Sequence, residues 1–100
     1  MVHVALFARL TAKPGKEADV VRLLETGLAL ANQEATTPIW FALRLAPMTF
    51  GIFDAFVDES GRKAHLAGPI AAALMAKESE LFAEPLRIEY VDVLGAKILQ

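Results

Sequence analysis

Two residues suited to acid–base chemistry lie close together in the middle of the chain. Asp54 interrupts an otherwise apolar stretch, and His65, one of only two histidines, follows shortly after it. An aspartate among apolar neighbours needs a hydrogen-bonding partner or a raised pKa, and a histidine titrates near neutral pH. Because carboxylates commonly orient catalytic bases, we expect His65 to be a general base and Asp54 its orienting acid.

Both residues also have a structural interpretation. His65 could cap or pack at the helix break that Gly68-Pro69 predicts. Asp54 could bind a backbone N–H or Arg9, or it could lie at a solvated end of its strand. Buried histidines and paired aspartates are often structural, whereas perturbed groups in a cleft are often functional. The sequence alone leaves both interpretations open.

The strand that carries the aspartate is predicted at residues 50–57. Alternate side chains of a strand point to opposite faces of its sheet. Asp54 therefore lies on the same face as Ile52 and Phe56, and this apolar face should be the one that helices cover. The carboxylate is thus expected between the sheet and its helices.

Hydrophobic periodicity and turn residues predict the remaining elements. Proline at residue 69 suits the first position of a helix, because its missing N–H has no helical partner there. The resulting order of strands and helices is typical of the ferredoxin-like α+β fold, an antiparallel sheet with helices on one face. We expect one domain over residues 1–100, with further strands at 2–12, 39–46 and 86–98 and helices at 16–34, 60–67 and 69–82.

The first and third predicted strands carry apolar residues on both faces, which indicates a second buried surface. Phe53, Ala55 and Val57 lie on the face of the third strand that the helices cannot cover. Such a face needs a partner, and a second copy related by a two-fold axis is the simplest one. The predicted last strand, 86–98, exceeds the usual length of about 5–6 residues and could reach that copy. We therefore expect a homodimer.

The composition argues against several classes of protein. Apolar residues make up 55% and charged residues 22% of the chain, which is not typical of disorder. The net charge of −2 argues against a nucleic-acid-binding surface. No apolar run is long enough for a membrane span or a signal peptide, so we expect no membrane partner and a cytoplasmic location. Without cysteines, metal-spaced histidines or a Rossmann glycine pattern, we expect no heme, flavin or metal cofactor.

Three stretches of the sequence resemble the antibiotic-biosynthesis monooxygenase family, whose members are dimeric α+β barrels. These stretches are Arg9–Glu17, Phe53–Glu59 and Ala64–Pro69, and the similarity extends over nearly the whole chain. The resemblance implies a ligand cavity between the sheet and the helices of each subunit. It also implies an enzyme that deprotonates its substrate to an anion that reacts directly with oxygen. The substrate-binding residues expected on this basis are Ile52, Phe56, Ala8, Leu74, Met75 and Tyr90.

The sequence departs from two branches of that family at their functional positions. Ile52 and Phe56 stand where the cofactor-free oxygenases carry an asparagine and a tryptophan, and isoleucine cannot donate a hydrogen bond to an oxyanion. Ala8, His65 and Met75 stand where the heme-degrading branch carries an asparagine, a tryptophan and a histidine iron ligand, so heme degradation is not expected.

We therefore expect a cofactor-independent monooxygenase that acts on a small aromatic, quinol-like or phenolic compound. Two alternatives stay open. One is an isomerase that uses the same acid–base pair without oxygen, and the other is a non-catalytic ligand-binding or stress-related module of the same fold.

Overall fold

A computed structural model describes residues 1–99, which form one four-stranded sheet and three helices. No helix among these residues is long and apolar enough to cross a membrane. The elements in chain order are β1 (Val4–Thr11), α1 (Glu17–Ala31), β2 (Ile39–Ala46), β3 (Thr49–Phe56), α2 (Glu59–Leu66), α3 (Pro69–Leu81) and β4 (Arg87–Asp92).

The strands pair in the order β2-β3-β1-β4, and each pair is antiparallel. This arrangement confirms the predicted α+β ferredoxin-like fold. The register places Asp54 between Leu6 of β1 and Trp40 of β2. Paired residues of neighbouring strands point to the same face, so the aspartate lies within an apolar row that crosses the sheet.

One face of the sheet is buried beneath the helices, as the alternation of residues predicts. The core between the sheet and the helices is built from aliphatic and phenylalanine side chains on β1, β3, α1 and α3. Its largest fully buried members are Phe50, Leu10, Ile70 and Val20. On the opposite face the buried residues are Val2, Ala5 and Ala55, and Phe41 is 56% exposed.

The junction between α2 and α3 fixes the position of His65. Asp58 caps α2 by accepting a hydrogen bond from the Gly61 N–H at 3.1 Å. The helix ends where the Gly68 N–H donates to the His65 carbonyl at 3.0 Å, and Pro69 begins α3. A Cβ at Gly68 would lie only 3.2 Å from that carbonyl oxygen. The break therefore holds His65 in the last turn of α2.

Arg62 anchors α2 to the sheet from the same helix. Its Nη1 donates to the carbonyl oxygens of Ala5 at 3.1 Å and Val91 at 3.3 Å, which belong to β1 and β4. Its guanidinium carbon lies 4.8 Å from the centre of the Tyr90 ring. Because these contacts within the protein satisfy the guanidinium group of Arg62, we assign this buried residue a structural role.

The last strand is shorter than predicted. The sequence predicted a strand over 86–98, whereas β4 ends at Asp92. The reason is that β1, the neighbour of β4, begins at Val4, which pairs with Asp92. One further bond joins the Val93 N–H to the His3 carbonyl at 2.9 Å. Beyond it the described chain offers no strand to pair with, and Leu94 is 99% exposed.

Gly27 in the middle of α1 allows a close approach between that helix and the sheet. A Cβ at this position would lie 3.1 Å from Cζ2 of Trp40. The indole of Trp40 therefore packs directly against the helix backbone, on the helix-covered face of the sheet.

We predict that Gly27→Val lowers the free energy of unfolding by about 1–3 kcal/mol, the usual cost of overpacking a core. Ala29→Val is the matched control, since Ala29 lies on the exposed side of the same helix. The control should cost less than about 0.7 kcal/mol, the range of helix propensities. Urea unfolding measures both variants, and equal costs would contradict this account of the helix–sheet contact.

Candidate active site

His65 is held between two carboxylates inside the molecule. Its Nε2 lies 2.9 Å from Oδ2 of Asp54, and its Nδ1 lies 2.8 Å from Oε1 of Glu34. The side chains of His65 and Asp54 are 6% and 4% exposed, and that of Glu34 is 16% exposed. The predicted contact between Asp54 and His65 is thus present, but a second carboxylate that the sequence did not reveal completes the arrangement.

Glu34 reaches the histidine from the loop that follows α1, and Thr37 in the same loop holds it there. The Thr37 hydroxyl donates to Oε1 of Glu34 at 2.7 Å, the same oxygen that contacts His65. On the other side, the ring of Phe56 packs against the imidazole, with 5.3 Å between the ring centres. The imidazole is therefore fixed by β3, α2 and the loop after α1 together.

The contacts at both ring nitrogens favour the charged form of His65. A neutral imidazole has one donor and one acceptor nitrogen, whereas an imidazolium donates from both, and both nitrogens here face carboxylate oxygens. Burial by itself lowers the pKa of His65, but the hydrogen bonds and charges of Asp54 and Glu34 outweigh burial and raise this pKa above its usual value. Burial also raises the pKa of Asp54, while the contact with His65 opposes that rise.

Three buried polar atoms in this region have no hydrogen-bond partner among residues 1–99. They are Oδ1 of Asp54, Oε2 of Glu34 and Nε1 of Trp40. Buried polar atoms are nearly always paired, and Asp54 is only 3% exposed. The free oxygen of Asp54 is therefore a position at which a ligand or water donor would be stabilised.

An apolar cavity adjoins the acid–base pair. It has a volume of about 120 Å³, lies between the sheet and α3, and contains Asp54 and His65 as its polar lining residues. Met75 and Ile88 are the most exposed apolar residues that line it, at 69% and 40%, and they mark its entrance. The apolar walls are formed by Leu6, Ala8, Ile52, Leu66, Ile70, Ala71, Leu74, Met75, Leu86 and Ile88.

A larger groove of about 250 Å³ lies elsewhere, between α1 and β2. Leu28, Phe50 and Arg44 are among its lining residues, and the guanidinium of Arg44 lies over the Phe50 ring at 4.9 Å. The groove is more open and contains no buried acid–base pair. We therefore assign the candidate active site to the smaller cavity.

Four of the predicted substrate-binding residues line the cavity, and two do not. Ala8, Ile52, Leu74 and Met75 form part of its wall. Phe56 is fully buried behind His65 and does not line the cavity. Tyr90 is 62% exposed on the edge strand β4, beneath the guanidinium of Arg62, and it also lies outside the cavity. Sharing a face of the sheet with Asp54 was therefore not sufficient to bring these two side chains to the cavity.

The geometry favours Asp54 as the general base and His65 as the orienting residue, which is the reverse of the roles expected from the sequence. A general base needs a free lone pair within hydrogen-bond reach of its substrate. Both nitrogens of His65 are engaged by carboxylates, whereas one oxygen of Asp54 has no hydrogen-bond partner in the described part of the chain. The arrangement can therefore place a proton acceptor, Asp54, beside a fixed cation, His65. No group of three or more histidine and carboxylate side chains within residues 1–99 is arranged to bind a metal ion.

The raised pKa of His65 predicts how stability changes with pH. The folded protein holds the imidazole proton more tightly than the unfolded chain, so the stabilisation is complete below the unfolded pKa and is lost as the pH rises through the folded pKa. We expect the melting temperature to fall as the pH is raised from about 6.5, the reference histidine value, to mildly alkaline values.

Thermal unfolding of three variants tests this expectation. His65→Gln should abolish the alkaline decline, and Glu34→Gln should weaken it. His3→Gln should leave it unchanged because the His3 side chain is exposed. A decline of the same size in His65→Gln would show that other groups cause it.

Comparison with known proteins gives one match of high similarity. The protein of unknown function NE2512 from Nitrosomonas europaea is 54% identical, with a TM-score of 0.96 and coverage of 100% of this chain and 97% of that one. No protein-family model matches the sequence, and no curated protein matches it.

More distant structures share the fold. One is a putative antibiotic biosynthesis monooxygenase from Deinococcus radiodurans, 21% identical, with a TM-score of 0.79 over 97% of this chain and 98% of that one. Another putative antibiotic biosynthesis monooxygenase, from Nitrosomonas europaea, is 15% identical, with a TM-score of 0.82 over 92% and 90% of the two chains. The chain therefore belongs to the family of NE2512 and has the antibiotic biosynthesis monooxygenase-like fold that the sequence resemblance predicted.

Proposed function

We propose that this protein is a cofactor-independent monooxygenase that acts on a small quinol-like or phenolic compound. The observation that carries the proposal concerns Asp54, which lines an otherwise apolar cavity beside His65. One of its buried carboxylate oxygens has no hydrogen-bond partner among residues 1–99. A buried carboxylate of this kind can accept a proton and is stabilised by a hydrogen-bond donor. An aromatic hydroxyl is the donor that an apolar cavity accommodates best.

In the proposed reaction, Asp54 takes the proton from the substrate hydroxyl. Burial raises the pKa of this carboxyl towards that of its substrate, which eases the transfer. His65 remains charged between Asp54 and Glu34 and is a positioning residue that orients the carboxylate. The protonated carboxyl can then donate a hydrogen bond back to the anion that it has created.

The substrate anion supplies all the electrons for the reaction with oxygen. With hydroquinone as the example, one oxygen atom enters a ring carbon as a hydroxyl group and the other leaves as water. The ring product is hydroxybenzoquinone, so the quinol loses four electrons and dioxygen gains them. No external reductant is needed.

The apolar wall has two proposed roles in this chemistry. Ile52, Leu74 and the other aliphatic residues exclude water, which strengthens the electrostatic contact between the substrate and Asp54. The same wall offers an apolar environment to dioxygen. Putative antibiotic biosynthesis monooxygenases with the same fold support the reaction class, and the function of the more similar NE2512 is unknown.

A second candidate function is ligand binding without catalysis. The observation that favours it is that, among the described residues, the cavity wall offers no side-chain oxyanion donor apart from Asp54 and His65, and Ile52 is one of its apolar members. Oxyanion donors typically contribute about 10²–10³-fold to a rate. A binding module would need the cavity and the polar pair but no such donor.

We predict that the protein consumes oxygen in the presence of hydroquinone-type compounds and incorporates labelled oxygen into the product. Asp54→Asn should lower the protein-dependent rate by about 10²–10⁴-fold, the usual contribution of a positioned base. Asp19→Asn on α1 is the matched control, because Asp19 lies outside the cavity and should leave the rate unchanged.

Product mass after reaction in labelled dioxygen distinguishes the candidates. Turnover that persists without oxygen would favour an isomerase. Binding of the quinol without any turnover would contradict the monooxygenase proposal and favour the binding module.

We also propose a homodimer, formed through the sheet face that lacks helices. Phe41 and Phe53 stack on this face with 6.5 Å between their ring centres, and Phe41 is 56% exposed. Residues 93–99 pass over the same face and leave a space of about 480 Å³ beneath them. Exposed apolar surface of this kind is usually covered by a partner, and a second copy of the sheet would fill it.

We predict that Phe53→Glu dissociates the dimer. A carboxylate left unpaired in a buried interface costs about 3–5 kcal/mol, which would weaken association by at least about 100-fold. Ala29→Glu is the control, because it places the same charge on the exposed side of α1. Analytical ultracentrifugation at micromolar concentration measures both variants. A wild-type protein that sediments as a monomer would contradict the proposed dimer.

A further inference from the structure

We infer that the cavity selects a neutral aromatic compound with a single ring, which presents one hydroxyl group to Asp54 and no anionic group. This inference rests on the proposed function, since it names the ligand class of the same site. Three features of the cavity carry it: its volume, the sign of its charges and the unpaired carboxylate oxygen.

The volume limits the size of the ligand. The cavity measures about 120 Å³, which is far below the roughly 300–1,000 Å³ of most small-molecule sites. An engineered apolar cavity of about 150 Å³ in another protein binds benzene. A single ring with small substituents therefore matches the space, whereas a fused two-ring or three-ring compound would need the walls to move.

The walls resist such movement on most sides. Ala8 and Ile52 belong to paired strands, and Ile70 and Leu74 belong to the helix packed on them. These four side chains are all at least nine-tenths buried. Protein interiors are packed as densely as organic crystals, so the space can grow mainly at the entrance near Met75 and Ile88.

The charges of the site exclude anionic ligands. The lining contains no lysine or arginine, and its polar residues are Asp54 and His65. Glu34 lies behind the histidine, so two carboxylates face one imidazolium. This cluster keeps an excess negative charge when all three groups are ionised. A carboxylate or phosphate on the ligand would be buried beside it without a counter-ion, which is strongly unfavourable.

The free oxygen of Asp54 selects for a hydroxyl group. It is buried and has no partner among residues 1–99, whereas the other oxygen of the same carboxylate is bound by His65. A ligand that donates a hydrogen bond restores the pairing, and one that places a methyl group there leaves the oxygen unpaired. A phenolic O–H is such a donor and remains neutral when it enters the cavity.

Calorimetric titration at neutral pH with four probes tests the inference. Phenol is the reference, and each of the other three differs from it in one property. The four probes are phenol, toluene, benzoate and 1-naphthol. Phenol should bind at least about 10–100-fold more tightly than toluene, because a hydrogen bond to a charged group contributes that much affinity. Benzoate and 1-naphthol should bind at least about 10-fold more weakly than phenol, because one brings a charge and the other a second ring.

Two variants locate the binding. Ala71→Leu should abolish phenol binding by filling the cavity, while Ala72→Leu, on the exposed side of the same helix, should not affect it. Asp54→Asn should reduce the preference for phenol over toluene and the discrimination against benzoate. Thermal unfolding of each variant confirms that it is folded before titration.

The outcomes separate this inference from the proposed function. Equal binding of 1-naphthol and phenol would overturn the size limit, and equal binding of toluene or benzoate would overturn the role of Asp54. Failure of phenol to bind would overturn the inference as a whole. Tight, selective phenol binding without oxygen consumption by quinols would support the inference and contradict only the monooxygenase proposal.

Discussion

The pairing of one buried imidazole with two carboxylates is the interaction on which the rest of the site depends. Asp54 could not remain ionised in an apolar layer of the sheet without the contact to His65. His65 in turn could not hold a proton in the interior without carboxylates at both nitrogens. The three residues belong to β3, α2 and the loop after α1, so their contacts also join these elements. The proposed chemistry and the folded structure therefore depend on the same interaction.

The surrounding fold keeps this cluster in one geometry. The antiparallel register places Asp54 between Leu6 and Trp40, in a row that is otherwise apolar. The helix break at Gly68 ends α2 immediately after His65, and Arg62 fixes the same helix to the carbonyl groups of the sheet. Small residues above the sheet, such as Ala71, leave the space that the cavity occupies. A ligand in this cavity would thus meet Asp54 and His65 on an otherwise apolar wall.

The sequence was sufficient to predict those features that depend on local periodicity. Strand alternation predicted the face of Asp54, and the apolar stripes and turn residues predicted the order of the elements. The contact between Asp54 and His65 followed because both lie in one strand–helix unit. Glu34 was missed because the sequence placed it at the end of the helix predicted at 16–34, whereas α1 ends at Ala31. Glu34 lies in the loop before β2, where no periodicity constrains a side chain and where a glutamate is ordinarily solvated. Its distance along the chain from His65 gave no signal of proximity.

The positions of Tyr90 and of the end of the last strand also depend on features that periodicity cannot express. Tyr90 lies on the helix-covered face, like Leu6, its paired residue in β1. Because β4 is an edge strand, the Tyr90 ring lies beneath the guanidinium of Arg62 and does not border the cavity. The last strand was predicted to be too long because an apolar run in sequence does not reveal whether a neighbouring strand exists. Here the neighbour begins at Val4, so regular pairing in β4 stops at Asp92. Both cases depend on which element lies beside the residue, which is a property of the assembled fold.

The charge on His65 is the central claim of this account, and nitrogen-15 NMR of the imidazole measures it most directly. The chain has two histidines, so a His3→Gln variant leaves one imidazole to observe. We expect both ring nitrogens of His65 to show the shift of a protonated imidazolium at neutral pH and to keep it as the pH rises above the usual histidine pKa. A spectrum typical of a neutral imidazole at neutral pH, with one protonated and one bare nitrogen, would contradict the account.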